Sequence, residues 1–198
     1  MSVAGAPSHR GAGRGEVGPA AENGAEAAHA EGADGGRLRE PSRPTILDLS
    51  GIDLGTRLIS RDEIARCNPH RGQMALLDWI VWQSPDLRQG VGLKHVRDDE
   101  FWVAGHFPEK PMFPGVLMVE TGAQLGSFLF NARFPKPRIA AFVKLDACTF
   151  RAAVEPGDDL FVLAREVKCS ARRFVSDIQG LVRGRVAFEC RITGMTLD

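Results

Sequence analysis

Two ionisable side chains, His106 and Glu120, stand out against the apolar residues of the stretch between Gly105 and Gln124, which also holds Glu109 and Lys110, and their types suit acid/base chemistry. His106 lies in a segment that also holds Gly105, Pro108, Pro111, Pro114 and Gly115. That composition excludes helix and stiffens a loop. From Val116 the chain turns apolar through Val119, then at Ala123, Leu125, Phe128 and Leu129, the pattern of a helix buried on most sides. Glu120 falls about one turn into it, with Gln124 four residues on and on the same face. An unpaired buried charge is expensive, so Glu120 is expected to have a raised pKa and to hold a proton. A protonated acid and a neutral imidazole aimed at one pocket make an acid/base pair. Pro114 suits a helix start, where a missing N–H costs nothing, and Gly115 lets a ligand approach the helix N-terminus.

This stretch resembles the hot-dog-fold 3-hydroxyacyl-ACP dehydratases of type II fatty acid synthesis. Their loop reads G-H-F-P-x-x-P-x-x-P-G-V-L, with Glu three residues after the Leu. The match here is Gly105-His106-Phe107-Pro108, Pro111, Pro114-Gly115-Val116-Leu117 and Glu120, and the family's Gln is Gln124. Pro69-His70-Arg71 and Leu77-Asp78 resemble the motif before the loop. Phe142 to Asp146, Phe150, Val154 and Pro156-Gly157-Asp158 resemble the strands after the helix.

The resemblance implies an α+β hot-dog fold, an antiparallel β-sheet wrapped around a long central α-helix. It implies dehydration of a 3-hydroxyacyl thioester, carried on acyl carrier protein, to the trans-2-enoyl thioester. His106 is then the base and Glu120 assists loss of hydroxide. The Gly115 N–H stabilises the developing oxyanion. Gln124 fixes Glu120, and Phe107 and Val116 complete the expected substrate contacts. No metal or redox cofactor is needed. In the family, the His and Glu of one site come from different subunits, so a homodimer with composite sites is expected, with a trimer of dimers as the larger assembly. His70 and Arg71 are expected to be structural, packing near the subunit contact. Arg133, Lys136 and Arg138 follow the helix and read either as a solvated loop or as a docking patch for acidic carrier protein.

The chain departs from the family in places. It contains no tyrosine, where many relatives carry one near the tunnel entrance, and Ala140 and Ala141 occupy that neighbourhood. Gly72-Gln73-Met74 replaces an aromatic-proline run, and Lys144 stands where Gly is usual. These changes bear on chain length and gating. Bifunctional dehydratase/isomerases carry Asp at the position of Glu120, so Glu favours dehydration alone. Two other readings compete: a hot-dog thioesterase, and a non-catalytic acyl-binding or scaffolding homologue.

Composition sets further bounds. The chain has 198 residues with Lys+Arg and Asp+Glu balanced at 25 each, which argues for neither nucleic acid nor an anionic membrane as partner. No apolar run reaches transmembrane length. Cys67, Cys148, Cys169 and Cys190 show no close pairing, as expected of reduced thiols in a cytoplasm, and Cys67-Asn68-Pro69-His70 lacks further ligands for a metal. Residues 1–44 are Gly- and Ala-rich, almost without large apolar side chains, and are expected to form a disordered tail ahead of one domain over 45–198. Glu16, Glu22 and Glu26 argue against a mitochondrial presequence, and no apolar core marks a secretory signal.

The remaining pattern positions the site. Ile46 to Leu49 reads as a short strand or turn. Ser60-Arg61-Asp62-Glu63 has capping-box form and opens a helix through Arg66 that Pro69 ends. Strands are expected over 76–82, 90–96, 138–145 and 160–169, then around Phe174 to Ile178 and Val186 to Ile192, with a turn at Arg183-Gly184. In the strand from Leu160, alternation puts Phe161, Leu163 and Val167 on one face and Glu166 and Lys168 on the other.

Overall fold

The computed structural model describes residues 43–197, so nearly all of the tail expected over 1–44 lies outside the described residues. Seven antiparallel strands form one sheet: β1 (Ile59–Ser60), β2 (Trp79–Gln83), β3 (Gln89–His95), β4 (Ala140–Phe150), β5 (Asp159–Cys169), β6 (Arg173–Val182) and β7 (Arg185–Thr196). Their order is β1-β2-β3-β5-β6-β7-β4. Helix α1 (Arg61–Cys67) precedes β2, and helix α2 (Gly115–Asn131) lies between β3 and β4 in the chain. Because α2 carries the chain across the sheet, β4 lands at the far edge, paired only with β7 among the described strands. One long helix on an antiparallel sheet is the expected hot-dog arrangement.

Local chemistry explains the ends of these elements. The Ser60 hydroxyl accepts the Glu63 N–H while the Glu63 carboxylate accepts the Ser60 N–H, the reciprocal capping box that starts α1. Pro69 cannot continue the helix, and Asn68 caps it in extended conformation. At Arg183 and Gly184 the backbone turns with φ of 50° and 71°, as a two-residue hairpin requires, joining β6 to β7. The first long strand starts at Trp79 rather than at the expected Leu76. The Leu76 N–H is drawn away from the sheet to Gln124 Oε1, at 2.9 Å.

α2 is buried on most of its surface. Met118, Val119, Leu125, Phe128 and Leu129 pack with Leu160, Val162 and Ala164 of β5 and with Ile178 and Phe188. Gly122 is dictated by this contact, since a Cβ there would lie 2.4 Å from Ile178 Cγ2. Asn131 locks the other end of the helix: its Nδ2 donates to Cys67 O and Arg138 O, and its Oδ1 accepts the Arg138 N–H.

The outer face of the sheet is covered as well. Ile46 to Leu49 forms no strand; with Ile52 and Leu54 it makes a strap over that face. Leu47 is 4% exposed and packs with Val81, Val91, Leu93, Leu163 and Leu181. The strap is tied down where Gln179 Oε1 accepts the Ile46 N–H at 3.1 Å and Gln179 Nε2 donates to Pro44 O. So both faces of β5 are buried: Phe161 and Leu163 meet the strap, as their alternation required, while Val167, beside a bulge at Glu166 to Lys168, is exposed. Replacing a fully packed leucine leaves a cavity, so Leu47→Ala is expected to cost roughly 2–5 kcal/mol of stability with the site unchanged. Denaturant titration checks this; a loss within about 0.5 kcal/mol would show the strap to be peripheral.

Candidate active site

The loop carrying His106 is closed on itself. Its backbone N–H donates to Trp102 O and its carbonyl accepts the Met112 N–H, both at 2.8 Å. The His106–Phe107 peptide is cis. Phe113 anchors the loop in the core: it is 1% exposed, donates its N–H to Val154 O at 2.7 Å, and meets the Trp102 ring edge-on at 5.5 Å. His106 Nδ1 lies 2.8 Å from Met112 O. A carbonyl only accepts, so Nδ1 carries the proton, and Nε2 of the neutral ring keeps its lone pair as a base. The ring is half-buried and stacked on Phe107 at 4.2 Å.

Glu120 projects from the second turn of α2 and is held through one oxygen. Gln124 Nε2 donates to Glu120 Oε1 at 2.9 Å, and His70 Nε2 approaches the same oxygen at 3.3 Å. Gln124 is 2% exposed and also donates to Met74 O, so it ties the 74–76 segment and Glu120 to one side chain. His70 reaches the site because Asn68, the cap of α1, donates its amide to Gln124 O at 2.8 Å and Pro69 redirects the chain along α2. His70 was expected to be structural; the structure puts it on the carboxylate. Its sequence signal, one His after a helix-ending proline, says nothing about a partner fifty positions away.

The expectation of a raised Glu120 pKa is not met. Burial is the largest single influence and pushes the carboxyl up. The hydrogen bonds from His70 and Gln124, together with the charge of His70, outweigh it and hold the group below its ordinary 4.5. The folded chain thus binds this proton less readily than the unfolded chain does. Its contribution to stability is complete above 4.5 and is lost as pH falls through the folded value. Wild type should therefore gain stability relative to Glu120→Gln as pH rises through the region below 4.5, and the difference should level off above it. Chemical denaturation at a series of pH values tests this, and a difference that is flat or falls with rising pH would overturn it.

A cavity of about 170 Å³ opens beside Glu120, with His70 at the same end and Ala123, Ala141, Phe174 and Ile192 among its walls. His106 does not line it. Gly115 is the first residue of α2, and Pro114 is its cap. The first N–H groups of a helix have no intrahelical acceptor and suit a developing oxyanion. Gly115 has a packing reason too: a Cβ would lie 2.8 Å from Cε1 and Cζ of Phe150.

Of the other expected contacts, Phe107 and Val116 are exposed, at 49% and 75%. So are Phe142, Val143, Leu145 and Phe150 on β4. Phe113 is buried and Met112 half-buried, because the loop turns them inward. The basic trio also divides. Arg133 is half-buried, paired with Glu166 at 2.5 Å and bonded to Leu87 O, so its charge is spent within the fold. Arg138 lies over the Phe134 ring at 4.5 Å and donates to Ala171 O, while Lys136 is exposed. Among the described residues no cluster of His, Cys, Asp and Glu could hold a metal, and no helix is long and apolar enough to cross a membrane.

Residues 68–191 match the model of the FabA-like domain. The 3-hydroxyacyl-[acyl-carrier-protein] dehydratase FabZ of Staphylococcus haemolyticus is 33% identical over 133 residues, which cover 67% of this chain and 91% of that protein. The enzyme of the same name from Bradyrhizobium diazoefficiens is 31% identical over 151 residues, 75% of this chain and 98% of its own. Among solved structures, the dehydratase heterocomplex ApeI:P from Xenorhabdus doucetiae aligns with a TM-score of 0.60 at 16% identity, covering 68% of this chain and 91% of that one, a likeness of fold.

Proposed function

The chain belongs to the FabA-like domain family, and from that membership and the site's geometry we propose that it removes water from a 3-hydroxyacyl thioester on acyl carrier protein. The product is the trans-2-enoyl thioester, a step of fatty acid or related lipid biosynthesis. One observation carries the reading: a histidine whose Nδ1 is committed to a backbone carbonyl, leaving Nε2 as base, accompanies a carboxylate that lines a cavity together with alanine, phenylalanine and isoleucine side chains.

His106 Nε2 takes the proton from the carbon next to the thioester carbonyl. The C–H electron pair becomes the new double bond as the bond from the third carbon to oxygen breaks. The carbonyl oxygen gains charge on the way and is met by the N–H groups at the start of α2, beside Gly115. The departing oxygen needs a proton. Glu120 and His70 share one contact at 3.3 Å and act as a pair: Glu120 faces the hydroxyl and His70 supplies the proton that leaves with it as water. His106 is then protonated and the pair is one proton short, so exchange with solvent resets both. Gln124 holds Glu120 in place throughout.

We infer further that the sites are composite. His106 and the cavity of Glu120 do not meet within one chain, and the exposed apolar side chains of β4, Phe107 and Val116 give a partner subunit something to cover. Carrier docking then falls to Lys136 and Arg138 beside that edge. The four cysteines are free thiols, as suits a cytoplasmic setting. The test is a 3-hydroxyacyl thioester assay that follows enoyl absorbance and free thiol in parallel. Enoyl formation without thiol release supports dehydration; thiol release without enoyl would mean a thioesterase, and neither would mean a binding protein.

A further inference from the structure

Beside the loop of His106 lies a buried ion pair that the proton-transfer scheme does not use. Lys94, on β3, is 1% exposed, and its Nζ donates to Glu100 Oε1 at 2.5 Å and to His95 O at 2.8 Å. Glu100 takes two further donors: its Oε1 accepts the Arg97 N–H at 2.9 Å, and its Oε2 accepts the indole N–H of Trp102 at 3.1 Å. The Arg97 guanidinium lies closer to Asp78, at 2.5 Å, than to Glu100, at 3.8 Å, so Lys94 is the main counter-ion of Glu100.

The pair reaches the loop at both of its ends. At the start stands Trp102, whose carbonyl accepts the N–H groups of Gly105 and His106, at 3.1 and 2.8 Å. At the close stands Phe113, next to Met112, whose carbonyl is met by His106 Nδ1. Lys94 Nζ lies 5.9 Å from the centre of the Phe113 ring, and the Trp102 and Phe113 rings meet edge-on. The loop is therefore hung between two side chains that one ion pair touches. Apolar side chains of similar volume often stabilise a fold as well as a buried ion pair does. What they lack is direction: Glu100 Oε2 fixes where the Trp102 indole points. Direction matters to the imidazole. A neutral histidine free in water favours the proton on Nε2, and here the contact with Met112 O holds it on Nδ1. A displaced loop loses that contact and leaves the proton where the base should be.

We propose that Glu100, held by Lys94, is a positioning residue: through Trp102 and Phe113 it sets the loop so that His106 keeps its Nδ1–H form and Nε2 stays free as the base. The inference rests on the dehydratase reading and adds residues that act only through the loop.

Two variants of the full chain test it. Trp102→Phe keeps a ring beside Phe113 and leaves the ion pair intact, but removes the indole N–H that Glu100 accepts. Lys94→Met combined with Glu100→Gln removes both charges at nearly constant size. Each should lower kcat for a 3-hydroxyacyl thioester by roughly ten- to a hundred-fold, the scale of a misplaced catalytic group, with KM little changed. Nitrogen NMR spectra of the imidazoles, with His106 assigned by its loss in His106→Ala, should show the Nδ1–H form in wild type and a shift toward Nε2–H in both variants. A merely structural role would lower the melting temperature and leave the tautomer and the kcat of the folded protein unchanged, and that result would overturn the inference. So would an Nε2–H form in wild type, or a fall in kcat with the Nδ1–H form retained. If the double variant does not fold, Trp102→Phe decides. If wild type forms no enoyl product, the dehydratase reading falls, and the tautomer shift still decides what Glu100 does to the loop.

Discussion

His106→Ala and Glu120→Gln are each expected to lower turnover by roughly 10²–10⁴-fold with little change in melting temperature. The two substitutions remove different halves of one proton-transfer scheme. His106 holds its loop through backbone atoms, which alanine keeps: the bonds to Trp102 O and from the Met112 N–H do not involve the ring. What alanine loses is the imidazole, whose Nδ1–H bond to Met112 O leaves Nε2 as the base. Glutamine at the second position keeps the size of Glu120, and its carbonyl can still accept from Gln124 Nε2. It cannot take or pass on a proton. His95→Ala is the control. His95, at the end of β3, lies 2.5 Å from Asp159 with both side chains partly exposed, a contact of the kind worth about 0–1 kcal/mol, and turnover should be retained. Near-normal turnover in purified, folded His106→Ala or Glu120→Gln would sink the assignment of that residue.

Short-range patterns carried much of this site. The prolines from 108 to 114 announce the loop, the apolar run after Val116 announces α2, and Glu120 and Gln124 share a face by spacing alone. The capping box at Ser60 was equally local, because both of its bonds lie within three residues. What stayed hidden depends on contacts between distant positions. His70 reads as structural until Asn68 and Pro69 are seen to steer it onto a carboxylate in another helix, and that contact reverses the expected direction of the Glu120 pKa. The apolar letters of Ile46 to Leu49 could suit a strand, a turn or a strap. Only the apolar side chains on the outer face of the sheet, and the hydrogen bond that Gln179 accepts from the Ile46 N–H, decide for the strap. Arg133 looks like surface charge because its partner, Glu166, lies on a strand folded back from elsewhere. The burial of Phe113 depends on Val154 and Trp102, which its neighbours in the sequence do not reveal.

Mixing inactive His106→Ala with inactive Glu120→Gln, under conditions that exchange subunits, is expected to restore about a quarter of wild-type activity, since half of a random mixture is heterodimer and each heterodimer holds one undamaged site. The expectation begins with the loop. Phe113 and the closure between His106 and Met112 fix the imidazole to its own subunit's core. Glu120 opens into a cavity whose walls come from α2, β4, β6 and β7, and His106 is not among them. Swinging the loop across would pull Phe113 from a site where it is 1% exposed, at a cost of about 1.5–3 kcal/mol for the side chain alone. A two-fold partner removes that cost by bringing a second copy of the loop to the cavity. It would also cover Val116, Phe142, Val143 and Leu145, which a lone chain leaves between 42% and 75% exposed. The readout is enoyl formation before and after exchange, with mass spectrometry to count mixed dimers. Mixed dimers that stay inactive would mean that each subunit pairs its own His106 with its own Glu120, and the loop would then have to move by a route this structure does not favour.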